Sequence, residues 1–330
     1  MKIFPIFDSI LLPLAPTIAG TIADYLQLMT KTVDGHRSQN CDNVVPELSS
    51  NLAWWQFDRS IRLVPTSQYQ YVSTIAHRLA AKSSLTPLQI CENLQSPLVS
   101  AIVEPDYCMQ LCCWYNDSGY IYFQIAPRSI GLWLNHIHGL PLIELAKHRS
   151  LSSATMAVYA HARCCSVLRL ADTEKLVRVA ANWQISIDRQ SDIDECSYLD
   201  RCTAEFTSIF EHSAEHRSIH VLMEVLDTIS SHHLQVVCSR QLGWSEARAI
   251  EPLGIGSNLA GKIRDPNWHK LTLDLAQSWL DFYRHCRIFG DVQRQNPRLA
   301  IARCLLTAIV RRYLQVLLEN YLGVTALVEL

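Results

Sequence analysis

The chain has no C-x-x-C pair, no glycine- or serine-rich run and no marked surplus of either charge. Each absence excludes something. There are 12 cysteines, but no two pairs stand at zinc-ribbon spacing. Cys112–Cys113 and Cys164–Cys165 are adjacent, which suits small buried side chains better than a disulfide ladder. They read as reduced thiols, and the chain as cytoplasmic. Eleven glycines and 13 prolines are scattered, so no flexible linker is expected. A formal charge of −2 argues against a general polyanion binder, which would carry a basic excess over the whole domain. A local basic patch is compatible with it. The apolar run ILLPLAPTIAG (10–20) is too short to span a bilayer, is broken by Pro13 and Pro16, and follows Asp8. Neither a signal peptide nor a membrane segment is expected there.

What is present is the composition of a globular chain. Hydrophobic residues make up 49% and charged residues 18% of 330 positions, enough for about two domains. Residues 1–30 are apolar and predicted helical, and 34–50 a polar loop. YQYVSTIAHRLAA (69–81) has helical periodicity. Thr86-Pro87-Leu88-Gln89 is a capping box with proline at the first helical position, so a helix starts there. MQLCCWY and YIYFQI flank Asn116-Asp117-Ser118-Gly119, the pattern of a hairpin. The first 125 or so residues therefore mix helices with at least two antiparallel strands.

After Pro127 strand signals nearly vanish. SIGLWLNHIHGLPLIELAKHR leads into a helix over AVYAHARCCSVLRLAD (157–172). There Met156, Ala160, Cys164, Val167, Leu168 and Ala171 line one face, and Tyr159, Arg163 and Ser166 a neighbouring strip. Ser152 or Ser153 is the expected cap. Residues 188–200 read as a connection, AEHRSIHVLMEVLDTIS as a helix, and 239–268 as irregular. KLTLDLAQSWLDFYRHCRIFG predicts a helix ending near Gly290. Asn296-Pro297 opens a last helix, whose Leu299, Ala302, Leu306, Ile309, Tyr313 and Leu317 step by three or four until Gly323. The second half is thus an all-helical bundle of five or six helices.

Four features invite a chemical interpretation. His161 beside Cys164 or Cys165 has the spacing of a base and a nucleophile, against the plainer alternative of a packed helix with a polar edge. His212, His216 and His220 form one helical stripe with room for a metal, but no third ligand of another type accompanies them. GIGSNLAG (254–261) has a phosphate loop's glycines without its lysine or preceding strand, and reads as a surface loop. His136-Ile137-His138-Gly139 likewise follows no strand and glycine turn.

Two stretches carry a specific resemblance. YAHARCCSVLRLAD resembles the Tyr-Ala-His-Ala-Arg helix of arginyl-tRNA synthetases. LDLAQSWLDFYRHCRIFG with RLAIARCLLTAIVRRYLQVLLENYLGV resembles the end of that family's DALR anticodon-binding domain. The likeness covers roughly 150–330, with 173–210 and 236–268 poorly matched. More faintly, YVSTIAHRLAAKSSLTPLQICENL and GYIYFQIAPRSIGLWL resemble the family's N-terminal additional domain, a small α/β module that meets the elbow of the tRNA. The resemblance implies an α+β module over 1–128 and a DALR-like helical bundle over 129–330.

In the family a nucleotide-binding catalytic domain lies between these modules, marked by a His-x-Gly-His-type motif and a Lys-Met-Ser-Lys-Ser-type loop. These 330 residues carry neither. The thirty or so residues between hairpin and helix are about what one βαβ unit needs, too few for a doubly wound sheet. The expectation is therefore a non-catalytic, regulatory or accessory protein, without cofactor or metal. It would bind tRNA, an arginine acceptor first, or a tRNA-like RNA. The alternative is a protein-interaction scaffold that no longer binds RNA; aminoacylation would need a partner to supply the active site.

The resemblance also assigns residues. Tyr283 in DFYRHC matches the family's anticodon-side aromatic, and Leu330 stands in the place of its terminal methionine, with Ala326 near the place of a proline. Over 270–330, eight Lys/Arg face five acids, a surplus of three. Arg287, Arg298, Arg303, Arg311 and Arg312 are thus candidate phosphate contacts. On the motif helix, Tyr159, His161, Arg163, Ser166 and Arg169 are the corresponding residues, with structural roles implied for Tyr159 and Arg163.

Overall fold

A computed structural model describes residues 61–65, 69–81, 85–102, 111–139, 154–186, 209–241 and 266–329. The expectations for 1–30, 34–50, 188–200, 254–261, Ser152, Ser153 and Leu330 fall outside these residues.

The first half holds a four-stranded antiparallel sheet of β1 (Ile61–Leu63), β2 (Gln70–Ser73), β3 (Leu111–Tyr115) and β4 (Ile121–Ile125), in the order β1-β2-β4-β3. Two strands exceed the expected hairpin, and β2 corrects the prediction of a helix from residue 69. Tyr69, Tyr71 and Ser73 alternate inward at period two, and helix α1 (Ile75–Ala80) starts only afterwards. The hairpin itself forms as expected. Gly119 turns it at φ +81, and a Cβ there would lie 2.5 Å from the Cβ of Pro87. Pro87 opens helix α2 (Pro87–Ile102) through the predicted capping box: Thr86 N–H donates to Gln89 Oε1 at 2.9 Å, and Gln89 N–H to Thr86 Oγ1 at 3.3 Å.

Helix α3 (Pro127–Gly139) runs straight on from β4 and across the boundary drawn at 128/129. Then come α4 (Thr155–Thr173), α5 (Ser213–Gln241), α6 (Trp268–His285), the short α7 (Asp291–Gln295) and α8 (Pro297–Val316). A ribbon of β5 (Arg178–Val179) and β6 (Ile185–Ser186) interrupts them, with Trp183 in its turn. That ribbon corrects the expectation of hardly any strand after Pro127. Ala154, not a serine, holds the N-cap of α4, without a side-chain cap bond. Helix α6 stops at His285, and Gly290 instead precedes α7. Asn296 caps α8 as predicted, its Oδ1 accepting from Leu299 N–H at 3.1 Å.

Helix α8 is the axis of the bundle. Every residue from Ala302 to Leu314 is buried. Trp279 and Phe282 of α6 are fully buried as well. The helix continues as a π-helical turn, Leu317–Tyr321, and ends at Gly323 with φ +65. The sheet rests on α5 through three polar contacts. Tyr71 donates to Asp227 at 2.6 Å, Tyr69 Oη lies 2.8 Å from His216 Nδ1, and His220 Nε2 lies 3.2 Å from the Val64 carbonyl. The buried apolar residues of sheet and bundle form one continuous cluster.

Candidate functional site

The motif helix α4 and the end of α6 meet at an aromatic ladder. The ring of Tyr283 stacks on that of Trp279, one turn earlier, with centroids 5.4 Å apart and planes 15° apart. Trp279 is fully buried, its Nε1–H directed at Thr307 Oγ1 at 3.5 Å, so the ladder has a fixed base. Arg163, 120 residues away in sequence, lays its guanidinium over Tyr283 at 5.3 Å and donates from Nη2 to the phenol oxygen at 3.2 Å. Tyr159, one turn before Arg163, is 47% exposed. A planar guanidinium backed by two rings, with an exposed tyrosine beside it, is a surface on which an unpaired base can stack. Tyr159, Arg163 and Ser166 are exposed, as the strip required. Sequence reasoning did not foresee the pairing of Arg163 with Tyr283; no local signal reports a contact across 120 residues.

The basic candidates divide. Arg287 and Arg298 are exposed. Arg303, Arg311 and Arg312 are 8%, 3% and 9% exposed, which corrects their assignment as phosphate contacts. Arg303 donates from Nε to Glu215 Oε1 at 2.7 Å and from Nη1 to the Arg287 carbonyl. Glu215, fully buried, also accepts from the backbone N–H of Glu211 and His212, fastening the start of α5. Arg311 lies over Trp183 at 5.0 Å and donates to Gln315 Oε1 at 3.2 Å. Arg312 donates to the carbonyls of His138 at 3.0 Å and Ile137 at 3.3 Å, capping α3. The local surplus of three is therefore carried by interior side chains. Lys270, Arg284, Arg287, Arg294 and Arg298 remain at the surface, equal in number to the five acids.

The chemical alternatives also resolve geometrically. His161 is fully buried, and its Nδ1–H donates to the Leu327 carbonyl at 2.8 Å. That nitrogen therefore cannot accept the proton of the Cys165 thiol, 4.0 Å away. Burial lowers the pKa of His161 and raises those of Cys164 and Cys165, so neither thiolate nor imidazolium is favoured. His138 sits at the C-terminal end of α3, where the helix dipole repels anions. Its Nε2 accepts from Ile185 N–H at 3.3 Å, and burial, with Arg312 nearby, lowers its pKa to about 4. The histidine stripe is split: His212 Nδ1 accepts from Ala214 N–H, while His216 and His220 hold the sheet. Among the described residues, no three His, Cys, Asp or Glu side chains gather as a metal site. Nor, among them, is any helix long and apolar enough to cross a membrane.

A 91-residue region, 27% of this chain, is 35% identical to the arginine–tRNA ligase of Staphylococcus aureus strain NCTC 8325 / PS 47. The same figures hold for the ligases of strains MRSA252 and COL. The match spans 16% of those relatives' length. No family profile and no solved structure matches the chain. A region of this protein is thus related to arginyl-tRNA synthetases, within a mostly helical fold that also carries a small antiparallel sheet.

Proposed function

We propose that the protein is a non-catalytic relative of arginyl-tRNA synthetase that binds tRNA, or an RNA of similar shape, through a DALR-like bundle, in a regulatory or accessory role. The observation that carries this proposal is the Arg163–Tyr283–Trp279 ladder, which joins the two segments of strongest resemblance. Unpaired anticodon bases are the expected ligand, because they can leave their own stack and lie on such a surface. With Arg287 and Arg298 as the exposed candidates, phosphate contacts are few. Binding should weaken with salt with a slope of only about −1 to −2 in log–log form. Aminoacylation by the chain alone is not part of the proposal, because these 330 residues carry neither of the family's ATP-handling signatures.

The experiment is binding of labelled total tRNA to purified protein at low and moderate salt, with Tyr283→Ala alongside. Loss of one stacked base is worth about 1–3 kcal/mol, so the variant should bind at least about fivefold more weakly. Arginine acceptors should be enriched in the bound fraction. A second proposal, a protein-interaction module that has lost RNA, draws support from the burial of Arg303, Arg311 and Arg312. No binding at low salt would select it.

A further inference from the structure

The four-stranded sheet ends on a strand with nothing to close it. In the order β1-β2-β4-β3, strand β3 pairs with β4 on one side, and among the described residues no strand pairs with it on the other. The turn shows which of its backbone groups face outward. Asn116 N–H donates to the Tyr120 carbonyl at 3.1 Å, so that pair is hydrogen-bonded, and bonded pairs recur at every second position. Trp114 and Cys112 are therefore bonded to Tyr122 and Gln124 of β4. On the far side of β4, Ile125 N–H donates to the Tyr69 carbonyl at 3.0 Å, which fixes the same alternation. The N–H and C=O groups of Leu111, Cys113 and Tyr115 point away from the sheet. Edge strands ordinarily carry a charge, a proline or a bulge that blocks further pairing. Leu111-Cys112-Cys113-Trp114-Tyr115 has no charge and no proline, and it pairs with β4 residue for residue. Its outer face is open as well, with Cys112 exposed and Trp114 38% exposed.

We propose that β3 is a self-pairing edge, through which two copies of the chain join their sheets antiparallel into one. The strand fits its own copy. A two-fold centred on Cys113 sets Cys113 opposite Cys113, Leu111 opposite Tyr115 and Cys112 opposite Trp114. Every outward group is then matched, about six hydrogen bonds in all. Each cross-strand pair is apolar, and the Cys112 thiol meets an indole. No charge on the strand opposes its own copy. The seam is short, so the dimer is weak, with a dissociation constant on the order of 10–100 μM. The pairing does not depend on the function proposed above.

The test is sedimentation of the full chain over a concentration series that brackets that constant, with amide exchange read residue by residue. Monomer should pass to dimer. The amides of Leu111, Cys113 and Tyr115 should slow by about fivefold or more at high concentration, while those of Cys112 and Trp114 are slow throughout. Cys112→Glu changes an exposed side chain and sets two like charges about 7–8 Å apart on the seam's diagonal. It should weaken the dimer about tenfold, and less so at high salt. Cys113→Pro removes the central outward N–H while keeping the bonds to β4, and should abolish the dimer with the far-UV spectrum unchanged. If that variant does not fold, Cys112→Glu decides. A chain that stays monomeric overturns the proposal. So does a dimer in which the amides of Leu111, Cys113 and Tyr115 stay fast, or one that Cys112→Glu leaves intact. So does protection that appears only on adding an extended peptide from another protein.

Discussion

Arg303→Met should cost the fold, not an RNA contact. Glu215 is fully buried and its carboxylate has three donors: Arg303 Nε at 2.7 Å, Glu211 N–H at 3.0 Å and His212 N–H at 2.8 Å. Removing the guanidinium leaves a buried negative charge with two backbone donors, a loss of about 3–5 kcal/mol. The Arg287 carbonyl loses a donor as well, adding about 1 kcal/mol. Glu215→Gln in the Arg303→Met background removes the stranded charge yet keeps an oxygen for the two N–H groups. The double variant should therefore regain most of the loss and lie within about 2 kcal/mol of the parent. Urea denaturation reads this as midpoint shifts at constant slope. If Arg303→Met instead unfolds within about 1 kcal/mol of the parent while tRNA binding falls tenfold, Arg303 is a surface phosphate contact and the argument from burial is refuted.

Acid should weaken the fold through His138. Its folded value of about 4 lies below the unfolded value near 6.5, so its contribution is complete above pH 6.5 and disappears as pH falls toward 4. The loss reaches about 3 kcal/mol, visible as a falling thermal midpoint that His138→Gln partly flattens. Burial lowers His161 too, adding in the same direction. Gly119→Ala combines a positive φ with a 2.5 Å approach to Pro87 and should cost at least about 1–3 kcal/mol in a denaturant midpoint. Asn296→Ala removes the cap of α8 and should cost about 1 kcal/mol in the same assay.

Signals made by neighbours in sequence are legible from the sequence alone. The capping box at Thr86, the Asn116–Gly119 turn and the Asn296-Pro297 start each rest on residues within four positions of one another. The strip of Tyr159, Arg163 and Ser166 follows from helical period alone. Strand β2 is hidden because its four residues run into α1, and a window long enough to show a helix averages over both. The three buried arginines show a different failure. Counting them as surface charge rests on the rule that arginine is mostly exposed. Yet between them α8 runs Cys304, Leu305, Leu306, Thr307, Ala308, Ile309 and Val310, apolar but for Thr307, and such a helix is central. Arginine in a central helix must find acceptors inside. Those acceptors are Glu215, the carbonyls of Arg287, Ile137 and His138, and Gln315 Oε1; all but Gln315 are remote in sequence or unmarked by residue type.

The π-helical turn at Leu317–Tyr321 acts as a length gauge. Its Leu322 N–H reaches back five residues to the Leu317 carbonyl at 3.0 Å, and Val324 N–H reaches Leu318 at 2.8 Å. Each residue of a regular helix rotates the downstream chain by about 100° and advances it by about 1.5 Å. Winding these same residues as an ordinary α-turn would swing the segment beyond Tyr321 around the axis of α8. The Leu327 carbonyl would then no longer find His161. The irregular turn sets the phase that brings two distant helices and one short segment to the same polar point.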